Sequence, residues 1–555
     1  MGHRDGVGRR NIAAAPPLAN RGGADLRTTV LFTIMSSADP PHRIERAALP
    51  LLRGLAQQFS GRALIVGKGP SMAGGEPPDP TRLTVGLNQV SRHRGCHVAF
   101  VIDETLLDQD AALGAHGSVQ LLVTPRFGHR VRRRLGQMTV FGAHDHPVSA
   151  SDWFPARAAH HAAFNLASGP VDPALGAVIP MYNFSAPVAA HLLAEAGFTD
   201  IRLEGIDGGT AYHPAFADVA ADRLRSMQAS YDVQFEDLRL VKERCGVRFS
   251  TRVVPRATVM IGSEAEQALP EAVLRWSLES RTFLHVEYVS GSRESRSLYA
   301  TGRTGTPFSL QRMFLPRLSA GRGRGLYLDS DMLVFADVSR LFHTDLGTHV
   351  LLACEPTPGR APQYSVFLVD NARATWDPDA LVDGYLAGTI AYDDLIGRFS
   401  FAEPRAFALP ATWNHLETYE AGRTANVHFT DMGRQPWLSV MNPLADLWCE
   451  ALLAAVAADA RVAQALATSL ARGWVRPSLG HQVDRGLVSP WTLPGRVLRR
   501  DDAWMPPHVR AARGAAPGAA DRLSWQMRSW MRRQLARRGP RYLRHLLAIA
   551  RRIGA

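Results

Sequence analysis

The chain has 555 residues, of which 46% are hydrophobic and 21% are charged. This length predicts two or three domains, each large enough to bury its own core. Four cysteines lie far apart without a CxxC pair, which argues against a disulfide framework and favours reduced thiols in a cytosol. No apolar run reaches the ~18 residues of a transmembrane helix.

The net charge of +12 is concentrated in one segment of the chain. From Arg496 to the end, fifteen arginines stand against three aspartates, which accounts for the whole excess and leaves residues 1–495 formally neutral. Nucleic acid is therefore not an expected partner of the body of the protein.

The chain begins with about 45 residues rich in glycine, alanine, proline and arginine, which predict a disordered leader. Residues 46–250 then show apolar strands that end in polar residues. A strand from Arg62 runs into the turn Gly67-Lys-Gly-Pro-Ser71, a second ends at Asn88, a third at Asp103 and a fourth at Asp207, with a helix predicted over 185–197. This is a Rossmann-like pattern, in which polar groups collect at the carboxyl ends of parallel strands.

Five histidines of this first half have no spacing typical of a metal site, and we interpret them as loop residues: His129, His144, His146, His160 and His161.

The motifs GKGPS (67–71), GLN (86–88) and LEGIDGG (203–209) resemble sialyltransferase-like domains of surface-glycan enzymes, including those of bacterial motility accessory factors. The resemblance covers 46–250 and implies a nucleotide beside Gly67, Gly69, Ser71, Asn88 and Asp207. Glycines let backbone N–H groups approach a phosphate closely. The alternative is that the glycines only allow a tight turn and that Asn88 caps one.

Residues 251–485 again alternate strands and helices. Strands are predicted at 257–262, 282–288, 350–355 and 364–370, and helices at 269–280 and 308–316. This alternation favours a mainly parallel sheet, whose ligands lie at the carboxyl ends of the strands.

A buried strand in this half ends in the pair Asp329 and Asp331. Residues two apart on an extended segment project from one face, so both carboxylates can approach one point. Burying two unpaired carboxylates costs several kcal/mol, and a hard divalent cation that also binds a diphosphate meets that need. The alternative is that one aspartate caps the helix predicted over 337–342 and the other is solvated.

Three segments in order, FSLQRMFLPRL (308–318), LYLDSDMLVFADVSRLF (326–342) and HFTDMGRQPW (428–437), resemble the retaining glycosyltransferases of family 8. The resemblance implies a GT-A fold in which Asp329, Asp331 and His428 hold Mn²⁺, or Mg²⁺, against the donor's diphosphate. It also places Arg312 near the donor, as a catalytic cation, and implies retention at the anomeric carbon.

The chain departs from the family where a lysine usually precedes Pro-Trp, because Gln435 stands there with Arg434 before it. We expect these two residues to bind the donor, together with Ile261, Gly262 and Ser330. The usual acceptor motif is absent; Trp413 and Asn414 can stack on and hydrogen-bond a sugar, or can be a core tryptophan and a turn asparagine.

Residues 486–555 are predicted to be a linker and a basic amphipathic tail. Trp525 and Trp530 alternate with arginines in it, a pattern that suits an anionic membrane surface. The alternative is two helices docked on the body, with solvated arginines.

These features predict an α/β protein with two Rossmann-like domains, the second of GT-A type. The predicted function is a metal-dependent retaining glycosyltransferase on the inner face of the cell membrane. It would take a nucleotide sugar, first of all a UDP-sugar, and a glycan or lipid-linked acceptor of a bacterial surface glycan. The residues leave open whether the first domain adds a second activity. The alternative is a non-catalytic nucleotide- or glycan-binding scaffold.

Overall fold

The computed structural model describes residues 46–102, 119, 121–126, 133–135, 138–140, 160–169, 171–217, 231–290, 307–356 and 362–512. The predicted leader, most of the basic tail, Asp103, His129, His144 and His146 lie outside these residues. All described residues belong to one compact unit that begins at Arg46.

The first sheet contains nine described strands, all paired in parallel, in the order β1-β8-β5-β4-β3-β2-β10-β11, with β9 beside β8. Strands such as the third are buried along their whole length, as expected for a parallel sheet covered on both faces. In chain order the strands are β1 (Arg46–Ala47), β2 (Arg62–Val66), β3 (Leu83–Leu87), β4 (Val98–Phe100), β5 (Leu121–Pro125), β8 (His160–Leu166), β9 (Val178–Ile179), β10 (Asp200–Glu204) and β11 (Arg248–Thr251), while β6 (Arg133–Leu135) and β7 (Met138–Val140) form a separate antiparallel pair.

The second sheet has the order β13-β12-β14-β17-β16-β18, and a small third sheet has the order β15-β20-β19. The second sheet was predicted to be mainly parallel. It is a mixed sheet, because β17 runs antiparallel to both of its neighbours. The strands are β12 (Ala257–Gly262), β13 (Val286–Val289), β14 (Arg324–Asp329), β15 (Met332–Val334), β16 (Leu351–Cys354), β17 (Val366–Asp370), β18 (Arg405–Leu409), β19 (His415–Leu416) and β20 (Asn426–His428).

The described helices cover both sheets. They are α1 (Ala48–Gln58), α2 (Ser185–Glu195), α3 (Val233–Cys245), α4 (Ala268–Glu279), α5 (Pro307–Gln311), α6 (Leu315–Leu318), α7 (Ser339–Phe342), α8 (Pro378–Ala387), α9 (Ala445–Ala458), α10 (Ala460–Arg472), α11 (Ser478–Asp484), α12 (Gly495–Ala503) and α13 (Pro507–Ala512). Among them, no single helix is long and apolar enough to cross a membrane; α9 and α10 reach that length and composition only as a pair bent by 118°.

The two large sheets share one hydrophobic core. Ile201 of the first sheet and Leu326 of the second belong to the same cluster of buried residues. An isolated parallel bridge joins Phe249 in β11 to Leu284, and the His285 N–H donates to the Phe249 carbonyl at 2.8 Å. The predicted α/β class is therefore confirmed, but the described contacts do not divide the sheets into separate compact units.

Two sequence predictions about local structure are wrong. His160 and His161 open strand β8, where they pair with Leu121 and Leu122, rather than lying in a loop. Their strand continues into the apolar run that follows, and this run, not the histidines, decides the local structure. The strand predicted over 282–288 is present only from Val286 to Val289; before it, the Thr282 hydroxyl accepts the Leu284 N–H in a local turn.

Candidate metal and donor site

The two aspartates lie where the sequence predicted, at the carboxyl end of a central strand. Asp329 is the last residue of β14 and pairs with Gly262, the last residue of β12. After Asp331 the chain enters β15, which runs antiparallel to β20 so that Met332 lies opposite His428. The third sheet therefore brings a histidine from a distant part of the sequence beside both carboxylates.

The three side chains converge. One ligand atom each from Asp329, Asp331 and His428 lie within 4.8 Å of one another. Nε2 of His428 is 3.1 Å from Oδ1 of Asp331 and 3.9 Å from Oδ2 of Asp329. The three residues are only 4–8% exposed, so their charges face one another in a shielded place.

Asp329 is held through one of its two oxygens. Its Oδ1 accepts hydrogen bonds from Arg312 at 3.0 Å and from the Tyr327 hydroxyl at 2.8 Å. Arg312 is itself 3% exposed and donates to the Tyr364 carbonyl. The other oxygen, Oδ2, is the one that faces His428. Arg312 therefore lies in the predicted site, but as a buried group that orients a carboxylate.

Asp331 is held in the same way by a residue expected to bind the donor. The Gln435 amide donates to Asp331 Oδ2 at 3.0 Å and to the Phe429 carbonyl at 2.9 Å. Oδ1 of Asp331 is buried and faces His428, with Nε2 of the histidine 3.1 Å away. Gln435 thus has a positioning role that the sequence motif did not reveal.

His428 is oriented by Asn414. The two are joined by a 2.9 Å hydrogen bond between His428 Nδ1 and Asn414 Oδ1. Since a carboxamide oxygen can only accept, Nδ1 carries the proton in this bond. A hydrogen bond at one ring nitrogen that leaves the other for a metal is the usual arrangement around ligating histidines. Asn414 was expected to bind the acceptor, but its side-chain oxygen accepts the hydrogen bond from His428.

Burial lowers the pKa of the His428 imidazole, but Asp331, Asp329 and Glu417 together outweigh it and raise the pKa above its usual value. Two carboxylates and an imidazole form a donor set suited to Mn²⁺. The residues fit such an ion, because each offers one inward-facing atom while its other polar atom is bonded to the protein.

The alternative was that Asp329 or Asp331 caps the following helix, but a different aspartate is found there. The N–H of Ser339, at the start of α7, donates to Asp337 Oδ1 at 2.8 Å, so neither Asp329 nor Asp331 is needed as a cap.

The remaining predicted donor residues are only partly brought together. Gly262 lies against β14, and a Cβ there would overlap the Tyr327 hydroxyl, which explains the glycine. The Ser330 N–H donates to the Gly262 carbonyl and its hydroxyl donates to Gln267. Ile261 is buried in the core, whereas Arg434 is exposed beside Asp431.

Trp413 is 4% exposed and belongs to the shared hydrophobic core. Trp413 is therefore a core tryptophan, which was the alternative to stacking on a sugar. Tyr327 was missed, although its position two residues before Asp329 on the same strand places both on one face.

In the first sheet, the predicted nucleotide residues do meet, but they bond to one another. The N–H groups of Gly67 and Gly69 donate to the carbonyls of Glu204 and Gly205, each at 2.7 Å. The Ser71 N–H donates to Asp207 Oδ2 at 2.8 Å. A Cβ at Gly67 would overlap the Gly205 carbonyl. These contacts support the tight-turn alternative, because the amides are not left for a phosphate.

Asn88 lies near this turn, after β3, with a backbone φ of 53°. Its amide donates to the Ser185 hydroxyl at 3.3 Å, while its Oδ1 is buried without a hydrogen-bond partner.

No family model matches the chain. Over 139 residues it is 25% identical to galactinol synthase 10 of Arabidopsis thaliana, an alignment that covers 20% of this chain and 42% of that protein. The chain thus spans about two fifths of the length of this relative.

Several similar solved structures are named as glycosyltransferases. The galactosyltransferase LgtC, solved with donor and acceptor sugar analogues, is 14% identical, with 32% of this chain and 89% of that chain covered and a TM-score of 0.25. The glycosyltransferase GlyE of Streptococcus pneumoniae TIGR4 is 20% identical, with 35% and 60% covered and a TM-score of 0.27. The bifunctional glycosyltransferase WbbM is 10% identical, with 42% and 58% covered and a TM-score of 0.28.

Proposed function

We propose that the protein is a glycosyltransferase that needs a divalent cation and takes its sugar from a nucleotide-sugar donor. The observation that carries the proposal is the convergence of Asp329, Asp331 and His428 at the carboxyl end of β14, with one ligand atom of each facing the others. Ligands of open α/β sheets bind outside the carboxyl ends of the strands.

The chain's own residues have separate tasks in this proposal. Asp329, Asp331 and His428 hold the cation, which is Mn²⁺ or Mg²⁺. Arg312 and Tyr327 bind one oxygen of Asp329 and leave the other facing His428, and Gln435 holds one oxygen of Asp331 in the same way. Such outer contacts fix the ligands before the ion arrives, so less order has to be gained on binding. When bound, the ion neutralises the charge that develops on the leaving diphosphate.

The local similarity to galactinol synthase 10 supports a sugar-transferring activity, and the three sequence segments resembling family 8 support a UDP-sugar donor and retention of configuration. We extend the proposal to a glycan or lipid-linked acceptor that belongs to a bacterial surface glycan, as the resemblance of the first half suggests. The activity is assigned to the second sheet, because the N–H groups of Gly67, Gly69 and Ser71 donate to the protein itself.

The decisive experiment is nucleotide release from a panel of UDP-, GDP- and CMP-sugars, with and without Mn²⁺. We expect release from one donor class that stops in excess chelator and returns when Mn²⁺ is added back. An Asp207→Ala variant, altered outside the proposed site, is the matched control and should keep the metal-dependent rate. If no donor is turned over while nucleotide still binds, the scaffold alternative replaces the transferase.

The proposal also places the enzyme at the inner face of the cell membrane, through the basic segment 521–555. Each arginine near an anionic surface contributes about 1 kcal/mol, and salt screens this attraction. A chain without residues 521–555 should no longer sediment with anionic vesicles but should hydrolyse a soluble donor at the full rate. Loss of donor hydrolysis on truncation would show that the tail belongs to the folded body.

A further inference from the structure

A second group of metal-ligating side chains lies on the helices of the first sheet, outside the proposed donor site. A ring nitrogen of His191, a carboxylate oxygen of Glu195 and the Cys245 sulfur lie within 4.8 Å of one another. His191 and Glu195 are four residues apart on α2 and therefore share one face of that helix. Cys245 is the last residue of α3.

His191 is held at one ring nitrogen. Its Nδ1 is 2.7 Å from the Tyr182 hydroxyl, which is also hydrogen-bonded to Arg244, and its Nε2 is 3.7 Å from Glu195 Oε1. In the tautomer in which Nδ1 donates to the Tyr182 oxygen, Nε2 carries no proton and is the atom that an ion would bind. A hydrogen bond at the other ring nitrogen is typical of metal-bound histidines.

Exposure differs among the three residues. His191 is 7% exposed, whereas the Glu195 side chain is 41% exposed and Cys245 is intermediate. The group therefore has a buried nitrogen on one side and an opening to solvent on the other. An ion can enter through that opening, and a water molecule can fill a fourth position.

We propose that His191, Glu195 and Cys245 bind a zinc-class divalent cation that joins the carboxyl ends of α2 and α3. An imidazole, a thiolate and a carboxylate are the three ligand types that Zn²⁺ takes in proteins, with Co²⁺ as its spectroscopic substitute. The donor site offers two carboxylates and no sulfur, so the two sites should prefer different metals.

The position in the fold indicates a structural task. Helices α2 and α3 end just before strands β10 and β11 begin, so the ion lies at the amino edge of the first sheet, opposite to the edge where substrates of such sheets bind. A cation bound by both helices stabilises the folded state over the unfolded one. This inference does not depend on the proposed function.

The test is a Co²⁺ titration of the full-length protein carrying Asp331→Asn, which disables the donor site. A thiolate-to-cobalt charge-transfer band in the near ultraviolet should rise to one equivalent. Cys245→Ser should abolish the band, and Glu195→Gln, at an exposed side chain, should weaken Co²⁺ binding about tenfold or more. Cys354→Ala, which removes a thiol outside the group, is the control and should leave the band unchanged.

Thermal unfolding gives a second readout. Zn²⁺ should raise the Tm of the Asp331→Asn protein by about 2 °C or more, and should leave the Tm of the double variant with Cys245→Ser unchanged. The proposal is overturned if Co²⁺ gives no band, if the band persists in Cys245→Ser, or if Glu195→Gln binds as well as its parent. In each of those cases His191 and Glu195 form only an ordinary helix-surface contact.

Discussion

The carboxyl edges of the two large sheets carry similar residues in different states. At the second sheet, Asp329, Asp331 and His428 each bond to the protein through one atom and direct another atom towards the same place. At the first sheet, the amides of Gly67, Gly69 and Ser71 are bonded to the protein, although Asn88 Oδ1 is buried without a hydrogen-bond partner. Polar residues at strand ends are therefore not sufficient for a site; what distinguishes the second sheet is that several polar atoms converge on one place.

The largest effect should come from removing a ligand at the second sheet. Asp331→Ala should lower the metal-dependent rate of nucleotide-sugar hydrolysis by about 10²-fold or more, because the group that neutralises the leaving diphosphate is no longer held. The Tm of the metal-free protein should hardly change, since Asp331 serves to bind the ion rather than to stabilise the fold. Full activity of the variant, or of the wild type in excess chelator, would remove these residues from the mechanism.

The converse is expected at the first sheet. Gly67→Ala should destabilise the protein by up to about 3 kcal/mol, because its Cβ overlaps the Gly205 carbonyl of a neighbouring segment and the backbone has to move. Chemical denaturation measures the change, and Gly54→Ala, where a Cβ meets nothing within 4 Å, is the matched control. If Gly67→Ala is as stable as wild type but fails to bind a nucleotide, the turn is a ligand site after all.

A smaller loss should follow from removing an outer contact of the metal site. Asn414→Ala should weaken Mn²⁺ affinity about 10- to 100-fold while leaving all three ligands in place, because the tautomer and orientation of His428 are no longer set. Calorimetric titration of Mn²⁺ measures this. Unchanged Mn²⁺ affinity combined with a raised KM for the acceptor would return Asn414 to the acceptor-binding role expected from the sequence.

The smallest effect concerns His343, which lies between the two regions. Its Nε2 is 3.0 Å from the Thr251 hydroxyl, its Nδ1 is 2.7 Å from the Ser339 carbonyl, and its ring stacks on Phe235. Burial lowers the pKa of His343 below its usual value; contributions from the Ser339 carbonyl and Asp207 that raise it are smaller.

Because the folded-state pKa is the lower one, the unfolded chain binds this proton first as the pH falls below about 6.5, and stability is lost from there down to the folded-state pKa. The loss is at most about 1.4 kcal/mol per pH unit. Denaturation at pH 7.5 and 5.5 should show a smaller decrease for His343→Gln than for wild type. Equal decreases would mean that His343 does not contribute to the pH dependence of the free energy of unfolding.

Much of the site could be predicted from the residues alone. Asp329 and Asp331 lie two apart in a run of apolar residues that can only be a buried strand, so their common face and edge follow from strand periodicity. His428 was predicted as a ligand from the resemblance of its motif to family 8, and in the structure it lies opposite Met332. Arg312 was expected near the donor and lies against Asp329, as a buried orienting group.

The roles of Gln435 and Asn414 could not be predicted in the same way. Gln435 was expected to bind the donor and Asn414 the acceptor. Both are buried amides that hydrogen-bond a proposed metal ligand more than ten residues away in sequence. Nothing in the local sequence of an amide reveals which of its possible partners it meets.

The sequence by itself determined the α/β class, most strand positions and the pair of carboxylates, because these depend on hydrophobic runs and residue spacing that are local properties. Only the tertiary structure decided which strand-end groups have atoms left for a ligand. That outcome depends on contacts between distant segments, such as Ser71 with Asp207 and Gln435 with Asp331. A buried polar atom is either satisfied by such a contact or left for a ligand, and the partner is known only once the chain has folded.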